Sequence, residues 1–366
     1  MRIAFDHQIF GLQEYGGISR YYFELADNCA KANMADVAIF SPLYANSYLA
    51  AASPQLKIRG VKMPAIRRSG IVYSAVNKVF SPALLRHFYP DIVHETYYSQ
   101  KSKNPSGSKV VLTVFDMIHE RFPDGVASWD SSSEDKARAV ERADHVICIS
   151  EKTQSDLIEL LGVDRSKTSV VHLGFSLTKL PLEMTLVNAR PYLLFVGNRS
   201  GYKNFESLLR VYATYPFLHK NYDLVAFGGG VLSKKEHLII SELGINFDQV
   251  RQIGGGDDVL AGLYKNASLF VFPSRYEGFG IPPLEAMSFD CPVACSNTSS
   301  IPEVVGDAAE MFDPDSMESM GQTIERVLKD LTLRNVLVAR GRERIKLFSW
   351  ERCAEQTMDV YRSLLR

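Results

Sequence analysis

Cysteine is scarce in this 366-residue chain, and what there is does not pair. Cys29, Cys148, Cys291, Cys295 and Cys353 are odd in number and contain no C-x-x-C pair, which argues against a disulfide framework or a zinc ribbon and suits small buried apolar residues. Long apolar runs are missing too: no stretch approaches the roughly 18 residues that a membrane span needs, and Met1-Arg2-Ile3-Ala4-Phe5-Asp6 lacks the core of a secretory signal. A reducing, cytoplasmic setting is expected. There is no excess of charge, since 41 Lys plus Arg face 42 Asp plus Glu for a net of −1. That balance gives no global field for nucleic acid, so any anion must be bound by a local site. At 46% hydrophobic and 23% charged residues the composition is globular, which sets aside extended disorder, collagen and coiled coil.

One absence is local. Residues 37–90 contain no Asp or Glu, where the chain average would place about six. The same stretch carries Lys57, Arg59, Lys62, Arg67, Arg68, Lys78 and Arg86 among Val61, Met63, Ile66, Ile71, Val72, Tyr73, Val76, Val79 and Phe80. Such a mixture suits a surface lying against anionic lipid heads or a lipid diphosphate, and equally a solvated basic face with no partner.

What is present is an alternation. Short β-branched runs at Arg2 to Phe5, Val37 to Phe40, Ile92 to His94, Val110 to Val114 and Val146 to Ile149 read as strands, with helical stretches between them. In the stretch Ile18 to Ala32, for example, Ile18, Tyr22, Leu25 and Cys29 recur at helical steps. From Pro191 the pattern restarts, with strands at Tyr192 to Val196, Leu224 to Phe227, Gln249 to Ile253, Leu269 to Phe272 and Val293 to Cys295. The length suits two domains, and the alternation predicts two wound α/β units of Rossmann type with parallel sheets. We place them at residues 1–180 and 190–348, joined by the linker Thr178 to Arg190. A final helix over about 350–366, with Trp350, Cys353, Met358, Tyr361 and Leu364 at helical spacing, caps one of them. Two such units would leave a cleft at the carboxyl ends of their strands, where these folds bind ligands.

The most specific motif is Glu277-Gly278-Phe279-Gly280-Ile281-Pro282-Pro283-Leu284-Glu285-Ala286-Met287, directly after a predicted strand. Two glycines let the chain turn and present N–H groups, while Pro282 and Pro283 suit the first turn of a helix. A helix start of this kind accepts phosphate. Glu277 in the loop and Glu285 in the helix can approach one ligand from two directions. Other matches fail on spacing. Gly197 to Lys203 is no Walker A loop, and neither Gly228-Gly229-Gly230 nor Gly254-Gly255-Gly256 completes a dinucleotide fingerprint. Asp313-Pro314-Asp315 has a D-x-D form but lies well beyond the motif, and no essential metal or other cofactor is expected.

The segment resembles the E-x7-E signature of the retaining glycosyltransferases of family 4, whose GT-B fold faces two Rossmann-like domains across a cleft. Supporting segments occur in order: Gly16-Gly17-Ile18-Ser19-Arg20, Val196-Gly197 to Lys203-Asn204, Gly228-Gly229-Gly230, Ala286-Met287 through Pro292-Val293, and Ile301-Pro302-Glu303-Val304. The chain is most similar to bacterial mannosyltransferases that build lipopolysaccharide O-antigen and related polysaccharides. The resemblance implies an acceptor-side first domain onto which the chain returns near Ser349 and Trp350, and a donor-binding second domain. It further implies transfer of a hexose, with mannose from GDP-mannose the expected donor, to a lipid-linked or polysaccharide acceptor, by an enzyme at the inner face of the cytoplasmic membrane. In that scheme Arg199, Lys203, Gly16 and Gly17 bind the donor diphosphate, Glu277 with the N–H groups of Phe279 and Gly280 holds the donor sugar, and Glu285 takes the ribose hydroxyls. Two departures stand out. Asn198 occupies the place directly after Gly197 where the family often has its basic residue, and Phe115 precedes Asp116 where many members have histidine. Asp116, His119 or Glu120, in Asp116-Met117-Ile118-His119-Glu120-Arg121, would orient the acceptor hydroxyl or take its proton. The rival readings are a UDP- or TDP-sugar donor, a sugar-nucleotide epimerase, and a non-catalytic nucleotide-sugar-binding scaffold.

Overall fold

The computed structural model describes residues 1–65, 69–101, 103–123, 131–176, 190–199 and 201–366; Arg67 and Arg68 of the acid-free stretch and residues 178–189 of the linker lie outside these. The chain divides into two compact units, Met1–Gly174 with Ser349–Arg366, and Phe175–Phe348.

The first unit is built on β1 (Arg2–Phe5), β2 (Asp36–Tyr44), β3 (Lys57–Lys62), β4 (Ile92–Glu95), β5 (Lys109–Val114), β6 (His145–Cys148) and β7 (Thr168–Val170). Their order is β3-β2-β1-β4-β5-β6-β7 and every pairing is parallel. Strands such as Ile92-Val93-His94-Glu95 are buried along their whole length because helices cover both faces of a parallel sheet. One of these, Gly17–Lys31, buries Tyr21, Tyr22, Leu25, Ala26 and Cys29. Against it packs the last helix, Trp350–Leu364, whose Tyr361 hydroxyl lies 2.6 Å from His94 Nδ1. Since the chain winds outward from β1 and then returns to β4, the switch point lies between those two strands.

The second unit repeats this plan with β8 (Tyr192–Val196), β9 (Asp223–Phe227), β10 (Val250–Ile253), β11 (Leu269–Phe272), β12 (Val293–Ser296) and β13 (Glu310–Phe312), in the order β10-β9-β8-β11-β12-β13. All its pairings are parallel as well. A core including Leu193, Phe195, Phe205, Leu208, Leu224, Val271 and Ile324 fills one side of the sheet. Its switch point lies between β8 and β11, so the segments leaving those strands, Gly197 to Lys203 and Pro273 to Gly280, emerge side by side.

Three strands were not expected from the sequence: β3, β7 and β13. Each lies at a sheet edge. β3 is Lys57-Ile58-Arg59-Gly60-Val61-Lys62 and is almost wholly exposed, so it lacks the apolar run of a central strand; its charges also discourage pairing with another chain.

Candidate active site

The loop after β11 is held by hydroxyls from the loop after β12. Ser299 Oγ donates to the Glu277 carbonyl at 2.7 Å and accepts from the Glu277 N–H at 3.2 Å. The Ser300 hydroxyl, fully buried, lies 2.9 Å from the carbonyls of both Glu277 and Phe279. Gly280 then turns at φ 100°, a left-handed conformation that a β-carbon would strain, and the helix Ile281–Ser288 begins with its prolines. The backbone that carries the Glu277 carboxylate is thereby fixed on both sides. The carboxylate meets Lys203, whose Nζ donates to Glu277 Oε1 at 2.7 Å; the two side chains are 18% and 11% exposed, sheltered but within reach of solvent. The lysine lies on a 3-10 turn, Gly201–Lys203, tied back to the same loop by the Arg275 N–H donating to the Tyr202 carbonyl at 2.7 Å. Nζ also lies over the rings of Tyr202 and Phe272, at 5.4 and 5.8 Å from their centroids.

Glu285 lies one helix turn further on, and its Oε2 accepts from the Tyr264 hydroxyl at 3.1 Å. Burial pushes the Tyr264 phenol well above its ordinary range, and the neighbouring Glu285 carboxylate adds to this, so the phenol is a fixed donor. Phe279 is buried against Phe348.

Arg199, expected among the diphosphate contacts, is engaged by the protein itself in this structure: its side chain is only 4% exposed and its donors are taken. Nε donates to Glu236 Oε1 at 2.6 Å, while Nη2 donates to the carbonyls of Gly230 and Val231 at 2.9 and 3.0 Å and Nη1 to that of Gly228. Gly228, Gly229 and Gly230 all have left-handed φ, of 90°, 69° and 71°, so their carbonyls converge on one guanidinium as those of ordinary residues would not. Glu236 closes the arrangement. Burial raises its pKa, but the bonds from Arg199 and from the Ser233 backbone and hydroxyl outweigh this and hold it below the usual carboxylate range. Arg199 therefore shapes the glycine loop. Lys203 is the lysine of this segment that stands beside the motif.

In the first unit Gly16 is the N-cap of the Gly17–Lys31 helix, and the Gln13 amide oxygen accepts from the Ser19 N–H at 3.3 Å. A β-carbon on Gly17 would meet nothing within 4 Å. After β5, Asp116 Oδ1 accepts from the Ile118 N–H at 3.0 Å and so starts a short helix, Ile118–Arg121, that carries a half-buried His119. Glu120 is bound to Lys136, which is only 2% exposed and donates both to Glu120 Oε2 and to the Asp116 carbonyl at 2.9 Å. Phe115, in the place of the missing histidine, packs edge-on against Tyr21 and Tyr22. Asp313 Oδ1 accepts from the Asp315 N–H, the Asp315 carboxylate pairs with Arg275, and among the described residues no cluster of His, Cys, Asp and Glu is suited to a metal.

Sequence reasoning overlooked Ser299, Ser300, Lys136 and His94. Ser300 precedes a proline in the first turn of a helix, Ile301–Val305, and so looks like an ordinary N-cap; its hydroxyl instead serves the 277–279 loop. His94 is fully buried between Thr113 Oγ1, 2.9 Å from Nε2, and Tyr361, and burial pushes its pKa down to about 3. A lone histidine inside an apolar strand gives no local signal of either partner.

Comparison with known proteins bears on the family and the fold. The family model for glycosyl transferases group 1 matches residues 183–344, and that for glycosyltransferase family 4 matches residues 15–179. Among solved structures, a sucrose-phosphate synthase from Thermosynechococcus elongatus superposes with a TM-score of 0.76 at 21% identity, covering 100% of this chain and 99% of its own. Anabaena Alr3699/HepE in complex with UDP and glucose does so at 0.73 and 18%, covering 99% and 100%. The chain belongs to the family 4 glycosyltransferases and has their GT-B fold of two wound α/β domains. Among curated relatives, the O-antigen chain mannosyltransferase B of Escherichia coli is 32% identical over 249 residues, which is 63% of this chain and 65% of the relative. The serotype-specific mannosyltransferase WbdA of Escherichia coli is 28% identical over 245 residues, 63% of this chain and 30% of the relative. The matches thus span less than two thirds of these relatives.

Proposed function

We propose that the protein is a retaining mannosyltransferase that moves mannose from GDP-mannose to a lipid-linked or polysaccharide acceptor in the synthesis of O-antigen or a related glycan. The observation that carries this reading is the Lys203–Glu277 contact at the switch point of the second sheet, on a loop pinned by Ser299 and Ser300. The Phe175–Phe348 unit is the donor side, and Met1–Gly174 with the last helix is the acceptor side. When the donor enters, the Lys203 ammonium turns from Glu277 to the diphosphate and neutralises the charge that grows there as the bond to the sugar breaks. The Glu277 carboxylate, released, holds hydroxyls of the donor sugar beside the N–H groups of Phe279 and Gly280. Glu285, oriented by Tyr264, takes the ribose, and the family resemblance adds Gly16 and Gly17 to the diphosphate contacts. Retention places the acceptor hydroxyl on the face from which the diphosphate departs, with Asp116 or His119 orienting it. No metal takes part in this scheme.

Mannose is supported by the names of the Escherichia coli relatives, whereas UDP and glucose in the Anabaena structure favour a second donor reading. Thermal stabilisation by GDP, UDP and TDP and their sugars, with and without magnesium, separates the two. GDP and GDP-mannose should raise the melting temperature without magnesium; a response to UDP compounds alone would replace the donor and keep the mechanism.

The protein would work at an anionic membrane surface on the cytoplasmic side. No helix among the described residues is long and apolar enough to cross a membrane. On the helix Ser69–Phe88, however, Ile71, Val72, Val79 and Phe80 are each more than half exposed, within the stretch that has no acidic residue. Val79→Ser with Phe80→Ser should weaken binding to vesicles containing phosphatidylglycerol, and salt should weaken what remains. Equal binding by variant and parent would make this a solvated face.

A further inference from the structure

The scheme above leaves unused a cavity of about 730 Å³ within the first unit. It lies at the switch point of the sheet, with Asp6 and His7 following β1, Lys101 and Lys103 following β4, and Lys78 of the helix Ser69–Phe88 on its rim. Its acids are engaged. Asp6 accepts from the Thr96 N–H and hydroxyl at 2.8 and 2.6 Å and from Gln8 Nε2 at 2.7 Å, and Asp135 accepts from the Ser131 hydroxyl at 3.0 Å. Its cations are not: Lys78, Lys101 and Lys103 have no ion pair among the described residues. His7 Nδ1 is shut off from solvent without a hydrogen-bond partner there. Burial lowers the His7 pKa, Asp6 counters this and Lys78 reinforces it, so at neutral pH the ring is a neutral donor or acceptor. The corresponding cavity of the second unit, about 590 Å³, differs in that Arg210 and Lys235 both pair with Glu206, and Arg199 with Glu236.

Three unpaired ammonium groups around one hollow, whose acids are already engaged, make a site for a compact polyanion. The same helix that sets the exposed Lys78 on the rim of the hollow also exposes Val79 and Phe80, so the anion site borders an exposed apolar surface. We infer that this cavity seats a phosphate or diphosphate group, the one that tethers the acceptor glycan to its carrier. The role as an acceptor seat rests on the transferase reading above; the anion site itself does not.

Calorimetric titration of the full chain with two probes, farnesyl diphosphate and inorganic pyrophosphate, tests it, with Lys203→Ala in every sample to remove the donor-side cation. Lys78→Ala, Lys101→Ala and Lys103→Ala together should weaken both probes about a hundredfold. Tighter binding of farnesyl diphosphate than of pyrophosphate assigns the anion to a lipid carrier; equal affinities assign it to a free phosphate compound. Unchanged affinities in the triple variant overturn the seat. Should no nucleotide sugar be turned over by the unmodified chain while the lysine variants still lose the probes, the transferase reading fails and the seat stands.

Discussion

The two units share a strand order, and each sets a lysine opposite a glutamate just beyond a strand end. In the first, Lys136 and Glu120 meet with the lysine 2% exposed, and Nζ is also bonded to the Asp116 carbonyl. In the second, Lys203 and Glu277 meet at the same kind of distance, but the lysine is 18% exposed and the carboxylate stands on a loop pinned through its backbone. A lysine sealed among its partners holds a fold together. A lysine paired at the mouth of a sheet can exchange its carboxylate for a substrate phosphate. Charge pairing alone does not separate the two; access and backbone support do.

The largest effect that would break this comparison is on catalysis. Glu277→Gln should reduce turnover about a thousandfold, measured as nucleotide release in the presence of acceptor, while the melting temperature stays near that of the parent. Near-normal turnover would remove Glu277 from the mechanism. Lys136→Met should destabilise the protein by about 3–5 kcal/mol in chemical unfolding, because Glu120 keeps a buried charge without a partner. Lys203→Met likewise leaves a sheltered carboxylate, Glu277, without its partner, and should in addition weaken nucleotide-sugar binding, which Lys136→Met should leave unchanged. If the two variants exchanged these effects, the contrast between the units would be wrong.

A smaller effect concerns His94, which the fold holds neutral. Its folded-state pKa of about 3 lies below the ordinary value, so its contribution to stability is fully present above about pH 6.5 and is lost as the pH falls toward 3. Over that window the slope from this residue is about 1.4 kcal/mol per pH unit. His94→Gln should flatten the dependence of unfolding free energy on pH between 6 and 4 by roughly one proton. An unchanged slope would assign the acid sensitivity to other groups, among them His7 and His145, which burial also lowers.

Much of this was legible along the chain. The apolar runs at Arg2 to Phe5, Tyr192 to Val196 and Leu269 to Phe272 give their strands to the residue, and the glycines and prolines between Glu277 and Glu285 announce a loop running into a helix. The partners of Arg199 were not legible, because a basic residue after a glycine turn looks the same whether it faces a ligand or a neighbouring loop. Its partners, Glu236 and the carbonyls of Gly228 to Val231, arrive from 29 to 37 positions away. The edge strands were missed for a related reason, in that β3 takes its hydrogen bonds from one neighbour and has no burial to reveal it.

By itself, then, the sequence determined the two wound α/β units, their central strands and the motif from Glu277 to Glu285, because periodicity, turn chemistry and helix starts are short-range properties written in adjacent residues. The tertiary structure alone decided which charges stay available. Lys136 is enclosed by groups 16 and 20 positions away, and Lys203 meets a carboxylate 74 positions away on a loop held by Ser299 and Ser300. Burial and pairing of this kind depend on which strand ends the sheet order brings together, and no local pattern encodes that order.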